Sequence, residues 1–219
     1  MFDMDFEPIQ IVAMVAALAV AIIGHEIMHG FVAYKYGDMT AKYEGRLSVN
    51  PIVHIDPIGT IVVPLLLFVV GSPFLFGWAK PVPVNIWTVI RNGGYNGAIA
   101  VALAGIAYNL ILAVSASFLL PIAPEGSFAS QLLFYLVLYN VVLAVFNTWP
   151  IPPLDGSNAL GFVGKKFGIS AIDEFNQKVG RYGMIILIII LATPLSAIFM
   201  FPAKVRSEER RVGKECLRL

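Results

Sequence analysis

Charge is what this sequence lacks most. Only 13% of its 219 residues are Asp, Glu, Lys or Arg, whereas soluble proteins carry about 25%. The hydrophobic share is 58% and the mean hydropathy is +0.79, so the composition excludes an ordinary soluble domain and indicates a multi-pass membrane protein. The formal net charge is only +1 and the basic residues form no stripe, so we expect no nucleic-acid partner.

Cysteine and a secretion signal are also missing. Cys216 is the only cysteine, which excludes an internal disulfide and a cysteine-based metal cluster. The first ten residues are acidic (MFDMDFEPIQ), whereas a signal peptide begins with basic residues. We therefore expect the first apolar segment to remain in the mature protein.

The length of the chain favours one domain, which we place at residues 1–202 as a single membrane-embedded domain. Residues 203–219 differ abruptly, since they are dense in charge and have no periodicity. We predict that this tail is disordered or a remnant of cloning, because it looks like translated vector sequence.

Long apolar stretches predict an all-α membrane protein with about four to five transmembrane helices. Four stretches reach the roughly 20 residues that a bilayer core requires: 9–33, 98–121, 130–149 and 182–202. A fifth stretch, 58–79, is interrupted by prolines and glycines, which suits a re-entrant segment.

The distribution of Lys and Arg favours re-entry of that fifth stretch. If it returns to the side from which it came, loops 34–57, 80–97 and 150–181 share one face and hold nine Lys and Arg residues, while loop 122–129 on the other face holds none. Cytoplasmic loops carry the excess of basic residues. We therefore predict re-entry, with an external N-terminus and a first helix that runs inward.

The loops on this face predict further short elements. Residues 45–60 and 77–87 alternate apolar and polar side chains between prolines, which is typical of short extended strands, so we predict membrane-associated β-hairpins there. Residues 163–181 predict an amphipathic helix at the membrane surface.

The first apolar stretch contains the sequence HEIMH. In a helix, His25 and His29 lie on one face, one turn apart, so both imidazoles can bind one zinc ion. Glu26 is then placed to take a proton from a water on that ion. The alternative is a pair of hydrogen-bonded histidines with a structural carboxylate, but ionisable groups inside membranes are rare and usually functional.

A catalytic zinc site needs a third protein ligand and an open position. Asp155 and His54 are the candidates. Asp155 follows the proline-rich break WPIPP, and it could instead cap the next helix. The predicted topology brings Asp155 to the same side as His25 and His29, which favours the ligand.

The two motifs together resemble the site-2 protease family of intramembrane zinc metalloproteases, in its compact bacterial form without PDZ or CBS domains. The resemblance covers roughly residues 10–160. That family carries HExxH and a downstream NxxPxxxLDG, which this chain matches at Asn147, Pro150, Leu154, Asp155 and Gly156. The resemblance implies that His25, His29 and Asp155 bind one Zn²⁺ and that Glu26 is the general base. It also implies a protein of the bacterial cytoplasmic membrane, and the predicted topology puts the active site toward the cytoplasm.

One family motif is incomplete. The family often has Gly-Pro-x-x-Asn on the next span, where this chain reads AGIAYN with Ile106 in place of proline. Asn109 is either a substrate-binding or oxyanion-stabilising group or an interhelical hydrogen-bond partner. Asn140 and Asn147 raise the same question, and Asn147 could contact a substrate strand or support the broken helix.

His54, in NPIVHID, stays open between three roles. It could be an outer group of the active site, an additional or inhibitory zinc ligand, or a histidine hydrogen-bonded to loop backbone.

These features predict an intramembrane zinc endopeptidase that hydrolyses peptide bonds in or near transmembrane segments, as in regulated intramembrane proteolysis. Its partners would be a transmembrane protein or peptide substrate and the lipid bilayer. One alternative is a metal-ion transporter, which should place polar groups along several helices at several depths. The other is an inactive relative that binds membrane segments, against which the intact Glu26 argues.

Overall fold

A computed structural model describes residues 7–69, 77–180 and 182–192. Its α-helices are α1 (Pro8–Lys35), α2 (Thr40–Tyr43), α3 (Val63–Val69), α4 (Ile86–Leu119), α5 (Phe128–Asn147), α6 (Asp155–Phe167), α7 (Ser170–Gly180) and α8 (Gly183–Ala192). Short 3₁₀ turns at Pro51–His54 and Leu120–Ile122 and a π-helical turn at Pro57–Val62 complete it. The predicted all-α class is confirmed for these residues.

Three helices among the described residues are long and apolar enough to cross a membrane: Pro8–Lys35, Ile86–Ile122 and Phe128–Asn147. They correspond to the first three predicted spans. The fourth, 182–202, is described only as far as Ala192, and the rest of it and the tail 203–219 lie outside the described residues. The predicted count of four to five is therefore not supported by the described part of the chain.

The second of these helices, α4, is interrupted near its start. Gly94 has φ 60° and ψ −164°, a conformation that glycine adopts without steric cost. The apolar span of α4 follows this break.

The buried face of α1 explains how the three long helices approach each other. Ala13, Ala17 and Ala21 recur every four residues and have no exposed surface, and His25 continues the same row. Small side chains let membrane helices pack closely, and Tyr135 of α5 packs against the first two alanines. The row therefore faces protein, and His25 enters the bundle as its next member.

The predicted basic loops meet at one end of the bundle. Asn92 Nδ2 donates to the carbonyl oxygen of Tyr36 at 2.7 Å, and Lys166 Nζ donates to Asn96 Oδ1 at 2.7 Å. The short connection between α4 and α5 lies at the opposite end of those helices.

The two ends of the predicted re-entrant segment lie side by side. The Trp78 N–H donates to the carbonyl oxygen of Gly59 at 3.1 Å, and Thr60 Oγ1 donates to the carbonyl oxygen of Trp78 at 2.9 Å. Residues 70–76 lie outside the described residues. The chain thus leaves and returns at one place, as re-entry requires.

The predicted β-hairpins are wrong for the described residues, which contain no strand. The segment 77–85 is extended, but it is joined to the 45–60 region by isolated hydrogen bonds, such as that from Lys80 N to the His54 carbonyl oxygen at 2.8 Å. Prolines at 51, 57, 81 and 83 have no N–H, so a continuous ladder cannot form.

The predicted amphipathic helix 163–181 is instead the end of α6 followed by α7. Gly168, with φ 71°, ends α6 in a left-handed conformation, which is a common way for helices to end.

Candidate metal centre

The HEIMH sequence lies in the C-terminal part of α1, and His25 belongs to the buried face of that helix. The imidazole rings of His25 and His29 are 4.8 Å apart between centroids, and their Nε2 atoms are 3.1 Å apart. The helical spacing alone brings two ligand atoms to one point, as the sequence predicted.

The Leu-Asp-Gly sequence brings Asp155 to the same point. Leu154 is buried in an apolar cluster with Phe146 and Leu187, which anchors the start of α6. A Cβ on Gly156 would lie 2.2 Å from the carbonyl oxygen of Thr148, so only glycine lets α6 begin against the end of α5. The N-cap of α6 is Leu154 and no side chain caps it, so Asp155 does not serve as the cap considered above.

Together these side chains form what we call the donor triangle: Nε2 of His25, Nε2 of His29 and Oδ2 of Asp155. Asp155 Oδ2 lies 3.0 Å from His25 Nε2 and 3.2 Å from His29 Nε2. Among the described residues, this is the group of His, Cys, Asp and Glu side chains that could hold a metal ion. Its sides are close to the edge of roughly 3.3 Å expected between tetrahedral zinc ligands.

The hydrogen-bond partners of the two Nδ1 atoms decide which nitrogen of each imidazole carries the hydrogen. His25 Nδ1 is 2.6 Å from Asn109 Oδ1, and His29 Nδ1 is 2.7 Å from the carbonyl oxygen of Val101. Both oxygens accept, so each neutral ring keeps its lone pair on Nε2. Asp155 Oδ2 is buried and accepts no hydrogen bond from the described residues. Three lone-pair atoms facing each other fit a cation between them, and the two-His, one-carboxylate set is one that zinc accepts.

Glu26 lies beside the triangle but is held from the other side. Its Oε2 accepts a hydrogen bond from the backbone N–H of Val82 at 3.0 Å. Val82 belongs to the segment 77–85, so Glu26 and the donor triangle are supported by different parts of the fold.

A cavity of about 450 Å³ opens onto the triangle. Its walls are mostly apolar and come chiefly from residues 78–86 and 153–162. His25, Glu26, His29 and Asp155 line it, together with Asn147 and Asn158. An apolar cavity with a few polar groups suits an apolar ligand with one reacting bond.

The other predicted site residues lie in three different places. Asn147 lines the cavity, and its Nδ2 donates to the Leu143 carbonyl oxygen at 3.0 Å. Asn109 is fully buried, and its Oδ1 lies 2.6 Å from His25 Nδ1, which is the interhelical hydrogen bond considered above. His54 is 3% exposed and its Nε2 lies 2.8 Å from the Ser48 carbonyl oxygen; it belongs neither to the triangle nor to the cavity wall.

Sequence reasoning missed Asn158 and Val82. Asn158 lies three residues after Asp155, so helical spacing could have indicated that both face the cavity. Val82 acts through its backbone N–H, for which the side-chain sequence carries no signal.

Comparison with known proteins finds relatives that are named putative zinc metalloproteases. The putative zinc metalloprotease YwhC of Bacillus subtilis is 36% identical over 200 residues, which cover 86% of this chain and 84% of that protein. The putative zinc metalloprotease MJ0611 of Methanocaldococcus jannaschii is 31% identical over 163 residues, covering 71% and 73%. The putative zinc metalloprotease Rip2 of Mycolicibacterium smegmatis is 29% identical over 188 residues, covering 84% and 68%. No family model matches, and no solved structure matches significantly.

Proposed function

Because the chain belongs to the same family as the putative zinc metalloproteases YwhC and MJ0611, we propose that it is an intramembrane zinc endopeptidase of the site-2 protease type. Its substrates are transmembrane proteins or peptides, cut in or near their membrane segments. The observation that carries this proposal is the donor triangle, with sides of 3.0, 3.1 and 3.2 Å, inside a bundle of three long apolar helices.

His25, His29 and Asp155 would hold the zinc ion. Zinc bound there supplies a Lewis acid that lowers the pKa of water toward 7 and polarises the scissile carbonyl group. Glu26 takes a proton from the attacking water as the oxygen of that water bonds to the carbonyl carbon. Glu26 then delivers that proton to the amine nitrogen as the C–N bond breaks.

The apolar cavity supports the proposed class of substrate. A transmembrane helix hides its carbonyl groups in internal hydrogen bonds, so it must unwind before hydrolysis. The mostly apolar walls between Trp78 and Phe162 suit the side chains of such a segment. Asn147 and Asn158 offer carboxamides that can bond to the freed backbone groups.

The extended segment 77–85 is a wall that an unwound substrate could follow. Pro81 and Pro83 have no N–H, and the N–H of Val82 is bonded to Glu26. Contacts from this wall to a substrate backbone would therefore come mainly from its carbonyl oxygens.

The basic loops support a membrane orientation. They lie at the end of the bundle where α1 ends and α6 begins, close to the donor triangle. By the positive-inside rule, the proposed active site would face the cytoplasm, and residues 58–79 would enter and leave the bilayer on that side.

The test is Glu26→Gln in the purified full chain, with zinc content and cleavage of a transmembrane reporter measured on the same sample. We expect stoichiometric zinc and a fall in cleavage of about 10²–10⁴-fold, the usual contribution of a general base. Glu44→Gln, an exposed loop position, is the matched control and should match the wild type.

Unchanged cleavage in Glu26→Gln would overturn the proposed mechanism. Zinc flux into proteoliposomes without any cleavage by the wild type would instead favour the transporter.

A further inference from the structure

Two carboxamides lie in the apolar interior of the bundle, away from the cavity. Asn109 of α4 and Asn140 of α5 are each 0% exposed. A polar group buried at membrane depth costs free energy unless its hydrogen bonds are satisfied. Their partners therefore indicate why these residues occupy such costly positions.

The two side chains form a continuous hydrogen-bonded chain that ends on a zinc-ligand candidate. Asn140 Nδ2 donates to the Leu136 carbonyl oxygen at 2.8 Å, and Asn109 Nδ2 donates to Asn140 Oδ1 at 2.7 Å. Asn109 Nδ2 also donates to the Ala21 carbonyl oxygen at 3.1 Å. Asn109 Oδ1 then lies 2.6 Å from His25 Nδ1. We call the side chains of Asn140, Asn109 and His25 the relay.

Backbone carbonyl oxygens at two points determine the direction of every hydrogen bond in the relay. The carbonyl oxygens of Leu136 and Ala21 can only accept, so the Nδ2 group of each asparagine must face its carbonyl. Turning either carboxamide over would place oxygen against oxygen. Asn109 Oδ1 must therefore face His25, and Nδ1 of that ring must carry the hydrogen.

Gly105 closes the other side of the ring. It lies one turn before Asn109 on α4, and a Cβ there would be 2.5 Å from ring atoms of His25. The imidazole thus rests against a glycine and is held at Nδ1, so both its tilt and its tautomer are determined.

From these contacts we propose that Asn140 is a positioning residue for the metal centre, acting through Asn109 on the ring of His25. The relay presents the lone pair of His25 Nε2 to the donor triangle. This inference rests on the zinc site of the proposed function but not on proteolysis. Loss of a group that orients a metal ligand typically lowers metal affinity 10–100-fold.

The test measures zinc affinity by chelator competition in the purified full chain. In Asn140→Ser, the shorter hydroxyl can bond to the Leu136 carbonyl of its own helix turn but no longer reaches Asn109. We expect zinc affinity to fall 10–100-fold, and the cobalt-substituted protein to show a shifted visible spectrum, since the ligand field of one imidazole changes.

Matched variants separate positioning from packing. Tyr135→Phe removes a hydrogen bond between α1 and α5 that is not part of the relay, the one from Gln10 Nε2 at 2.7 Å. This variant should leave zinc affinity and the cobalt spectrum unchanged. Asn109→Leu should lower zinc affinity at least as much as Asn140→Ser. The double variant should be no worse than Asn109→Leu, because both changes break one relay.

Wild-type zinc affinity and cobalt spectrum in Asn140→Ser would overturn the proposal, as would additive losses in the double variant. If Asn140→Ser does not fold, Asn140→Leu, which keeps more of the volume, is titrated in its place with the same criteria. A wild-type chain that binds zinc but cleaves nothing would overturn the protease and leave this result readable. A wild-type chain that binds no zinc overturns both.

Discussion

His25 and His29 present the same atom to Asp155, yet they are supported in different ways. The Nδ1 of His29 bonds to a backbone oxygen, that of Val101, whereas the Nδ1 of His25 bonds to the side chain of Asn109. No substitution removes a backbone carbonyl, so the position of His29 is a property of how α1 and α4 pack. The position of His25 depends on side chains that mutation can change.

Glu26 extends the comparison to a third kind of support. Its carboxylate is held by the Val82 N–H, from an extended segment outside the helix bundle. The donor triangle is thus held by helices and Glu26 by a loop. Under the proposed function, zinc binding and catalytic rate should therefore be separable by mutation.

Removal of Asp155 should have the largest effect, because it takes away the one carboxylate of the donor triangle, which lies beside both histidines. In Asp155→Ala we expect zinc affinity to fall by more than the roughly 100-fold upper value for an orienting group, and cleavage to disappear. Metal analysis after dialysis against a mild chelator measures it. Asp56→Ala, a carboxylate that accepts loop amides, is the control and should keep zinc. Stoichiometric zinc in Asp155→Ala would mean that another group is the third ligand.

Gly105→Ala should affect His25 and spare His29. Its Cβ would lie 2.5 Å from the imidazole, so the ring must shift, and overpacking of this kind costs about 1–3 kcal/mol. We expect zinc affinity about 10–100-fold lower, measured by competition. Gly97→Ala on the same helix, where the nearest atom is 3.2 Å away on Tyr36, should bind zinc normally. Equal zinc affinity in the two variants would show that the contact of Gly105 with the His25 ring does not matter for zinc binding.

Val82→Pro should have the smallest effect, confined to the base. Proline has no N–H, so the partly buried Glu26 carboxylate loses one hydrogen bond. We place its contribution at the lower end of the range for charged groups, about 1.5 kcal/mol. We expect a roughly tenfold lower kcat with unchanged zinc content, measured on a transmembrane reporter. Val82→Ala, which alters the side chain but keeps the N–H that bonds to Glu26, is the matched control. A loss of zinc in Val82→Pro would show that base and ligands are not separately supported.

The sequence was most informative where the physics is local. Helical spacing placed His25 and His29 on one face, and the proline-rich break marked where Asp155 enters. The membrane class followed from composition, and the three long helices agree with it.

What the sequence could not predict depends on contacts between distant segments. The pairing of Asn109 with Asn140 requires the relative rotation and depth of α4 and α5, which no local pattern encodes. The absence of strands in the described residues follows from how the prolines of 45–60 and 77–87 interrupt pairing, although the alternation of side chains looked strand-like.

The alanine row of α1 has a consequence for alignment along the helix axis. Ala13, Ala17 and Ala21 are identical and four residues apart, so a slide of α1 by about one turn, some 5.4 Å, would present nearly the same surface to its neighbours. Apolar packing alone would therefore tolerate a slipped bundle. His25 ends this row, and its partner Asn109 lies at only one height on α4, so this buried polar contact favours the correct register, as a buried asparagine does in coiled coils.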